Sequence, residues 1–257
     1  MTLLITGGAS GIGAATARLA ATRGHRRIAI NYRSRDAQAR KVVADIEAAG
    51  GQAVALPADV AREDDIVKLF DETEKALGPI TRVVNSAGIG LHARVEDFDG
   101  ATLARLFTVN TVGVMLCCRE AARRLSTKRS GPGGHAGGVV VNVSSMAGTI
   151  GGRPGASAYA ASKAAIDSFT MGFAKEVAQE GIRAVSLRPG MIETEMTERT
   201  LADRETRAAI EATIAMGRVG RADEIANAIV WLLSDEASFI SGVTLDASGG
   251  GFVFGKR

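Results

Sequence analysis

The sequence predicts an α/β protein in which one parallel sheet is covered by helices on both faces, the doubly wound arrangement. Short apolar runs alternate with longer amphipathic runs along the chain, and this alternation is typical of strands joined by crossover helices. Several short runs are almost continuously apolar, as in strands that are buried on both faces. No linker or break in composition divides the 257 residues, so we expect a single domain covering 1–257.

Seven strands and six helices are predicted. The strand candidates are Leu3–Thr6, Arg27–Tyr32, Ala53–Leu56, Arg82–Asn85, Val139–Val143, Ala184–Leu187 and Val243–Asp246. The helical patterns are Ile12–Arg23, Ala37–Ala49, Asp64–Leu77, Thr102–Arg124, Ala158–Glu180 and Ala222–Leu233. Two stretches are irregular. Ser126–Gly138 indicates an exposed, flexible loop, and Met191–Met216 is polar with a partial helical pattern and follows the end of a strand.

Composition limits the class of protein. Hydrophobic residues make up 46% of the chain and aromatic residues 4%, which indicates an aliphatic core. A net charge of +3, with both signs spread along the chain, is compatible with an anionic ligand but does not indicate nucleic acid. No long apolar run predicts a membrane span, and no charged n-region marks a signal peptide. Cys117 and Cys118 are adjacent and form no disulfide framework, so we expect a cytoplasmic protein with reduced thiols and no metal site.

A glycine-rich turn follows the first strand. In Thr6–Gly13 (TGGASGIG), Gly7, Gly11 and Gly13 let the backbone turn tightly and approach a pyrophosphate, with Ser10 and Ile12 between them. The helix that opens here offers N–H groups and a positive dipole end to phosphates. The spacing GxxxGxG alone also fits a plain turn. Its position between a strand and a helix predicts a dinucleotide site.

The tip of the second strand predicts which dinucleotide binds. An NAD site usually places an acid here to hold the ribose hydroxyls, but the strand ends in Tyr32, Arg33 and Ser34, with Asp36 displaced to a helix-capping position. Arg33 and Ser34 are placed to hold a 2′-phosphate, with Arg35 as a further candidate. The alternative is that the arginines are solvated loop residues. We predict NADP in preference to NAD.

Other strand ends supply further candidates for the same edge of the sheet. The third strand is followed by Asp59 and Val60, which are placed to meet an adenine ring. The fourth strand ends in Asn85, Ser86, Ala87 and Gly88, where small residues leave room for a cofactor, and the sixth leads into Pro189, Gly190, Ile192 and Thr194. Asn110 lies in an apolar helical pattern and needs a hydrogen-bond partner there.

Chemistry is predicted at Tyr159 and Lys163, with Ser145 upstream. Residues four apart on a helix share one face, about 5–6 Å apart at Cβ. An ammonium beside a phenol favours the phenolate, which lowers the pKa of the tyrosine from about 10 toward neutrality. Ser145 follows the fifth strand and can hold a substrate oxygen. In isolation, YxxxK also fits a surface pair on an ordinary helix, so the prediction depends on the other motifs as well.

Taken together, these motifs resemble the short-chain dehydrogenase/reductase family. The resemblance covers essentially the whole chain and comprises TGGASGIG at 6–13, DV at 59–60, NSAG at 85–88, Asn110, SS at 144–145, YAASK at 159–163 and PG at 189–190. The stretches 31–35, 142–163 and 226–242 are most similar to those of bacterial glucose-1-dehydrogenase-like and 3-oxoacyl-carrier-protein-reductase-like members. Ser86 stands where the family usually has a second Asn, and Ser10 where some NADP-dependent members carry a basic residue. The prediction of NADP therefore depends more strongly on Arg33.

The resemblance implies a Rossmann-type fold and a mechanism. Tyr159 is implied to be the general acid in carbonyl reduction and the general base in alcohol oxidation. Lys163 is implied to lower its pKa and to hold the ribose hydroxyls, while Ser145 stabilises the substrate oxygen. Asn110 is implied to hold a water that connects Lys163 to solvent. Thr194 and the backbone near Ile192 are implied to hold the nicotinamide carboxamide.

The resulting hypothesis is an NADP-dependent oxidoreductase that transfers a hydride between nicotinamide and a carbonyl or secondary alcohol. The alternative is a regulatory protein that binds NADP without catalysis. The resemblance also implies a homotetramer packed through the helices near 102–124 and 158–180. The substrate is a small molecule; a sugar, a keto-acyl thioester and a small ketone all remain open. We expect Met191–Met216 to form a lid that orders when ligand binds.

Overall fold

The computed structural model describes residues 1–128 and 137–251. Its strands, in chain order, are β1 (Thr2–Thr6), β2 (Arg27–Tyr32), β3 (Gln52–Pro57), β4 (Ile80–Asn85), β5 (Gly138–Val143), β6 (Ile182–Pro189), β7 (Ile192–Glu193), β8 (Gly220–Arg221) and β9 (Thr244–Ala247). All seven predicted strands are present, displaced by at most two residues at either end. The pair β7 and β8 was not predicted, since two-residue strands leave no periodic pattern.

The helices are α1 (Gly11–Thr22), α2 (Asp36–Ala48), α3 (Glu63–Leu77), α4 (Gly100–Phe107), α5 (Gly113–Leu125), α6 (Ala147–Ile150), α7 (Ser157–Val177), α8 (Glu198–Ala202), α9 (Arg204–Glu211) and α10 (Ala222–Leu232). Five of the six helical predictions match single helices closely. The sixth, Thr102–Arg124, corresponds to α4 and α5 joined by a π turn, Thr108–Val112. The short helix α6 was not predicted, whereas α8 and α9 lie in Met191–Met216, where the sequence shows a partial helical pattern.

The main sheet has the order β3-β2-β1-β4-β5-β6-β9, and each neighbouring pair is parallel. From β1 the chain builds outward to β3, then returns to place β4 on the other side of β1. This reversal opens a crevice at the carboxyl edge between the two halves, which is where doubly wound sheets bind ligands. The predicted fold class is therefore confirmed.

Alternating residues of the strands supply two cores. Leu3 and Ile5 point into one core, which they share with apolar residues of α1, α2 and α10. Leu4 points to the opposite core, formed with α3, α5 and α7. Because successive side chains of a strand face opposite sides, a strand with helices on both faces must be apolar throughout. The continuous apolar runs of the sequence reflect this arrangement.

The helical run Gly100–Leu125 is long and apolar enough to cross a membrane by length and composition, with a mean hydropathy of 1.5. It is nevertheless a core element. Leu106, Val109 and Cys118 are at most 4% exposed, and Glu120 is buried among ion pairs with Arg119, Arg123 and Arg124. Packing against the sheet accounts for its hydropathy.

The two irregular stretches differ in outcome. Of the predicted loop Ser126–Gly138, residues 129–136 lie outside the described part. Ser126 is buried and Gly138 begins β5, so these ends are not exposed loop. Met191–Met216 contains β7, α8 and α9, and β7 pairs with β8 in parallel. Leu201, Ile210 and Ile214 pack with Val219 in a small apolar cluster of their own.

Candidate active site

Two glycines of the turn between β1 and α1, Gly7 and Gly13, stand where the packing leaves no room for a side chain. Gly7 and Gly11 have φ values of +66° and +51°, a region that favours glycine. A Cβ at Gly7 would lie 2.8 Å from Ala87 Cα, and one at Gly13 would lie 2.3 Å from the Gly7 carbonyl oxygen. Ser10 precedes α1 without a side-chain capping bond. The turn thus fits the close approach of a phosphate to the first N–H groups of α1.

A cavity of about 470 Å³ extends from this turn along the carboxyl edge of the sheet. Most residues predicted for cofactor binding or catalysis line it: Gly7, Ser10, Gly11, Ile12, Tyr32, Arg33, Ser34, Asp59, Val60, Ala87, Gly88, Ser145, Tyr159, Lys163, Pro189, Gly190, Ile192 and Thr194. Residues that are far apart in the sequence, from Gly7 to Thr194, therefore share one cleft. Among the described residues, the predicted Gly13, Asn85 and Asn110 are not part of its lining.

Asn85 lies behind the cavity wall rather than in it. Its Nδ2 donates a hydrogen bond to Asn142 Oδ1 at 2.8 Å, and Asn142 Nδ2 donates to Thr170 Oγ1 at 2.9 Å. These three buried side chains join β4, β5 and α7. Asn85 is not among the residues that line the cavity. The residue instead ties the strands to the helix that carries Tyr159 and Lys163.

Asn110 is fully buried on the π turn and holds the chain that follows β4. Its Oδ1 accepts from the Ile89 N–H at 2.8 Å, and its Nδ2 donates to the Ile89 carbonyl at 2.9 Å and to Ser162 Oγ at 3.1 Å. A Cβ at Gly88 would lie 3.4 Å from Asn110 Oδ1 and 3.5 Å from Lys163 Nζ. Asn110 and Lys163 therefore converge on the same glycine.

The side chains of Ser145, Tyr159 and Lys163 line the same cavity, and Ser145 is hydrogen-bonded to Tyr159. Both Tyr159 and Lys163 lie on α7, and Ser145 follows β5. Lys163 is 5% exposed, and its Nζ donates to the Val143 carbonyl at 2.9 Å. Burial lowers the pKa of Lys163 to about 8, although the nearby carboxylate of Asp167 opposes this. The ammonium is thus held at the carboxyl end of β5.

The tyrosine pKa differs from expectation. Burial raises the pKa of Tyr159 above its ordinary value, and a hydrogen bond with Ser145 only partly opposes this. From the sequence, we expected Lys163 to lower this pKa. In this structure the Lys163 ammonium donates instead to the backbone of β5, and burial of the phenol has the larger effect.

The rim at the end of β2 carries the predicted phosphate-binding residues. Arg33 and Ser34 are exposed and line the cavity. Asp36 was expected to cap α2; it is instead the first residue of that helix. Its carboxylate accepts from the Tyr32 hydroxyl at 2.7 Å and from Arg40 Nε, one turn further along α2, at 2.8 Å. Among the described residues, no acidic side chain at the end of β2 therefore lines the cavity.

Asp59 lines the cavity beyond β3 and is held by the protein itself. Arg105 Nη2 donates to both carboxylate oxygens, at 3.0 and 2.9 Å, and the Ala61 N–H donates to Oδ1 at 3.0 Å. Burial opposes ionisation, but these donors outweigh it and lower the pKa of Asp59. The carboxylate is thus ionised and fixed in place.

Sequence reasoning missed several residues of the site. Asn31 is buried at the end of β2, where its Nδ2 donates to the Ala58 carbonyl at 2.9 Å and its Oδ1 accepts from the Gly7 N–H at 3.3 Å. The Thr6 hydroxyl accepts from the N–H groups of Ser86 and Ala87. A polar residue ending an apolar strand is the signal that could have found both. Arg105 and Glu195 also line the cavity but have no local sequence signal.

The glycine-rich turn and the side chains of Ser145, Tyr159 and Lys163 thus line one cleft at the carboxyl edge of the sheet. A family model described as enoyl-(acyl carrier protein) reductase matches residues 7–251. The chain is 42% identical to an uncharacterized oxidoreductase, YgfF, of Escherichia coli K12, over 96% of this chain and 98% of the relative. It is 37% identical to 3β-hydroxysteroid dehydrogenase 1 of Eggerthella lenta, over 99% and 97%.

The fold has close structural counterparts as well. A solved dehydrogenase/reductase from Sinorhizobium meliloti 1021 superposes with a TM-score of 0.89 at 34% identity, covering 97% of this chain and 94% of that one. The chain belongs to the short-chain dehydrogenase/reductase family. It is an oxidoreductase of a family that uses nicotinamide cofactors and acts on small molecules.

Proposed function

We propose that the protein is an NADP-dependent oxidoreductase that interconverts a carbonyl and a secondary alcohol through Ser145, Tyr159 and Lys163. The observation that carries the proposal is the shared cavity. These three side chains line the same cleft as the glycine turn, so a dinucleotide bound at the turn lies within reach of the three. When bound, the nicotinamide supplies or accepts the hydride.

The protein's own groups handle the proton and the developing charge. The Tyr159 phenol donates its proton to the substrate oxygen in reduction and removes it in oxidation. The Ser145 hydroxyl, already hydrogen-bonded to that phenol, holds the same oxygen. Lys163 carries a buried positive charge on the same helix as Tyr159. A positive charge near the phenol favours the phenolate form of Tyr159. Asn110 keeps the segment around Ile89 in place beside Lys163.

Replacing Tyr159 with phenylalanine tests this role. Removing the acid/base group should lower kcat by a factor of about 10² to 10⁴, measured by NADPH oxidation with a panel of ketones, aldoses and keto-acyl thioesters. The affinity for NADPH should change little, measured by fluorescence titration. Tyr32→Phe removes the hydroxyl of the other tyrosine, which is bonded to Asp36, and should leave kcat at saturating NADPH largely unchanged. Full turnover by Tyr159→Phe would contradict the proposed mechanism.

The preference for NADP rests on Arg33 and Ser34, which line the cavity where β2 ends. Arg33→Ala should weaken NADPH binding at least about tenfold while leaving NADH binding within about twofold, since a charge-assisted phosphate contact is worth roughly 1.5 kcal/mol or more. Titration with both cofactors measures the ratio. An equal loss for the two would rule out a 2′-phosphate role for Arg33.

The same proposal includes the organisation of the chain. We propose one domain with 191–216 as a lid over the cleft, assembled as a cytoplasmic homotetramer through the helices near 102–124 and 158–180. The buried, reduced thiols of Cys117 and Cys118 fit a reducing compartment. Light scattering tests the tetramer; a monomer or dimer at micromolar concentration would reject it.

A further inference from the structure

The proposed lid carries one acidic side chain into the cofactor cleft. Glu195 lies two residues after β7 and lines the cavity with Thr194 and Met196. Its Oε1 lies 3.8 Å from Nη1 of Arg35, and both side chains are 46% exposed. Its other oxygen, Oε2, would lie 3.5 Å from a Cβ placed on Gly11. One carboxylate thus lies between the phosphate turn and the arginines that follow β2.

This position is fixed by the fold of the lid. The Thr197 hydroxyl donates to the Ile192 carbonyl at 2.6 Å, and the same oxygen accepts from the Thr194 N–H at 3.1 Å. These bonds close a tight turn over 192–197 and place Glu195 at its tip. The carboxylate is therefore presented to the cleft by an ordered backbone rather than by a loose loop.

A carboxylate in this place has a direct electrostatic consequence. The turn at Gly11 is built to receive a phosphate, and Arg35 is within reach of the residues proposed to hold the 2′-phosphate. A bound dinucleotide brings further negative charge to both positions. Glu195 competes with a phosphate for Arg35, so it must withdraw from Arg35 before the arginine can pair with that phosphate.

Resting on the proposed NADP-dependent function, we propose that Glu195 is a specificity-determining residue for the cofactor. It pairs with Arg35 in the absence of cofactor and releases it to the 2′-phosphate of NADP. NAD lacks this phosphate and leaves the pair intact. The Glu195–Arg35 pair thus reduces the advantage that the basic rim gives to NADP, and couples the tip of the lid to which cofactor is bound.

Glu195→Gln tests the proposal through binding alone. Removing the charge should tighten NADPH binding roughly three- to fivefold, as expected for an exposed ion pair, and change NADH binding less than about twofold. Fluorescence titrations with the two cofactors give both constants, and the difference should shrink in about 0.5 M salt because exposed charges are screened. Glu198→Gln is the matched control: it removes the same charge from the same segment, outside the cavity lining.

A double-mutant cycle with Arg35→Ala identifies the partner. In the Arg35→Ala background, Glu195→Gln should no longer alter the NADPH-to-NADH ratio; an unchanged effect would overturn the competition for Arg35. Equal urea midpoints for the variants confirm that folding is unaffected. If the wild type binds NADPH and Glu195→Gln binds both cofactors with the same affinities as the wild type, this inference alone is overturned. A wild-type protein that does not bind NADPH overturns the proposed function, and this inference with it.

Discussion

Replacing Lys163 with methionine should change how stability depends on pH. Lys163 is buried, and its pKa falls from an ordinary value of 10.5 to about 8 in the folded protein. A tenfold change in a protonation equilibrium is worth about 1.4 kcal/mol, so burying this ammonium costs about 3 kcal/mol when it is charged in both states. Methionine of similar length fills the site without a charge.

The sign is set by the two pKa values. Below pH 8 the lysine is protonated in both the folded and unfolded chain, and the full cost is present. Between pH 8 and 10.5 the unfolded chain binds more protons, so the free energy of unfolding of the wild type rises with pH. Methionine does not titrate. The wild type should therefore gain roughly 2–3 kcal/mol relative to Lys163→Met between about pH 7 and pH 10.

Equilibrium urea unfolding of both proteins at about pH 7, 8.5 and 10, without cofactor, measures this difference. The absolute offset also contains the lost hydrogen bond to the Val143 carbonyl, worth about 1 kcal/mol, but that contribution does not vary with pH. Lys175→Met is the control, since Lys175 is exposed on the same helix. A difference between wild type and Lys163→Met that is constant over this pH range would refute the reasoning.

Two other substitutions test the packing around the site. Asn110→Ala removes three hydrogen bonds of a fully buried amide. It should lower the free energy of unfolding, measured by the same urea assay, by roughly 2–3 kcal/mol. The control Asn227→Ala changes an exposed side chain and should lower it by under about 0.5 kcal/mol. Gly13→Ala places a Cβ 2.3 Å from the Gly7 carbonyl oxygen and should weaken NADPH binding at least about tenfold. At Gly172 an added Cβ meets nothing within 4 Å, so Gly172→Ala should stabilise α7 by about 0.5–1 kcal/mol. Unaltered cofactor titrations for Gly13→Ala would contradict the expectation that this turn must stay tight.

Much of the fold and of the cavity lining could be predicted because parallel sheets bring strand ends together. Motifs at the ends of β1, β2, β4 and β5 needed only the correct strands to be assigned to one edge. Contacts made by long side chains from distant elements could not be predicted in this way. Arg105 reaches Asp59 across 46 positions, and Glu195 approaches Arg35 from the other half of the chain; neither leaves a local pattern.

The π turn was missed for a different reason. Hydrophobic periodicity over Thr102–Arg124 follows one continuous helix, and a single wide turn changes the period too little to be recognised. Asp36 was assigned a capping role because caps are the common use of an acid at that place. In the structure the two carboxylate oxygens accept instead from the Tyr32 hydroxyl and the Arg40 guanidinium, and the Tyr32 contact leaves no signal in the sequence.

Because of the π turn at Thr108–Val112, the number of residues in this helical run determines how α4, Asn110 and α5 face the rest of the protein. Each residue added to or removed from an α-helix rotates the downstream segment by about 100°. Losing one residue here would regularise the helix but turn the Asn110 amide away from Ile89, while leaving either α4 or α5 facing the core with its polar side. We expect this short stretch to tolerate conservative replacements yet reject any change in length, unlike the surface loops elsewhere in the chain.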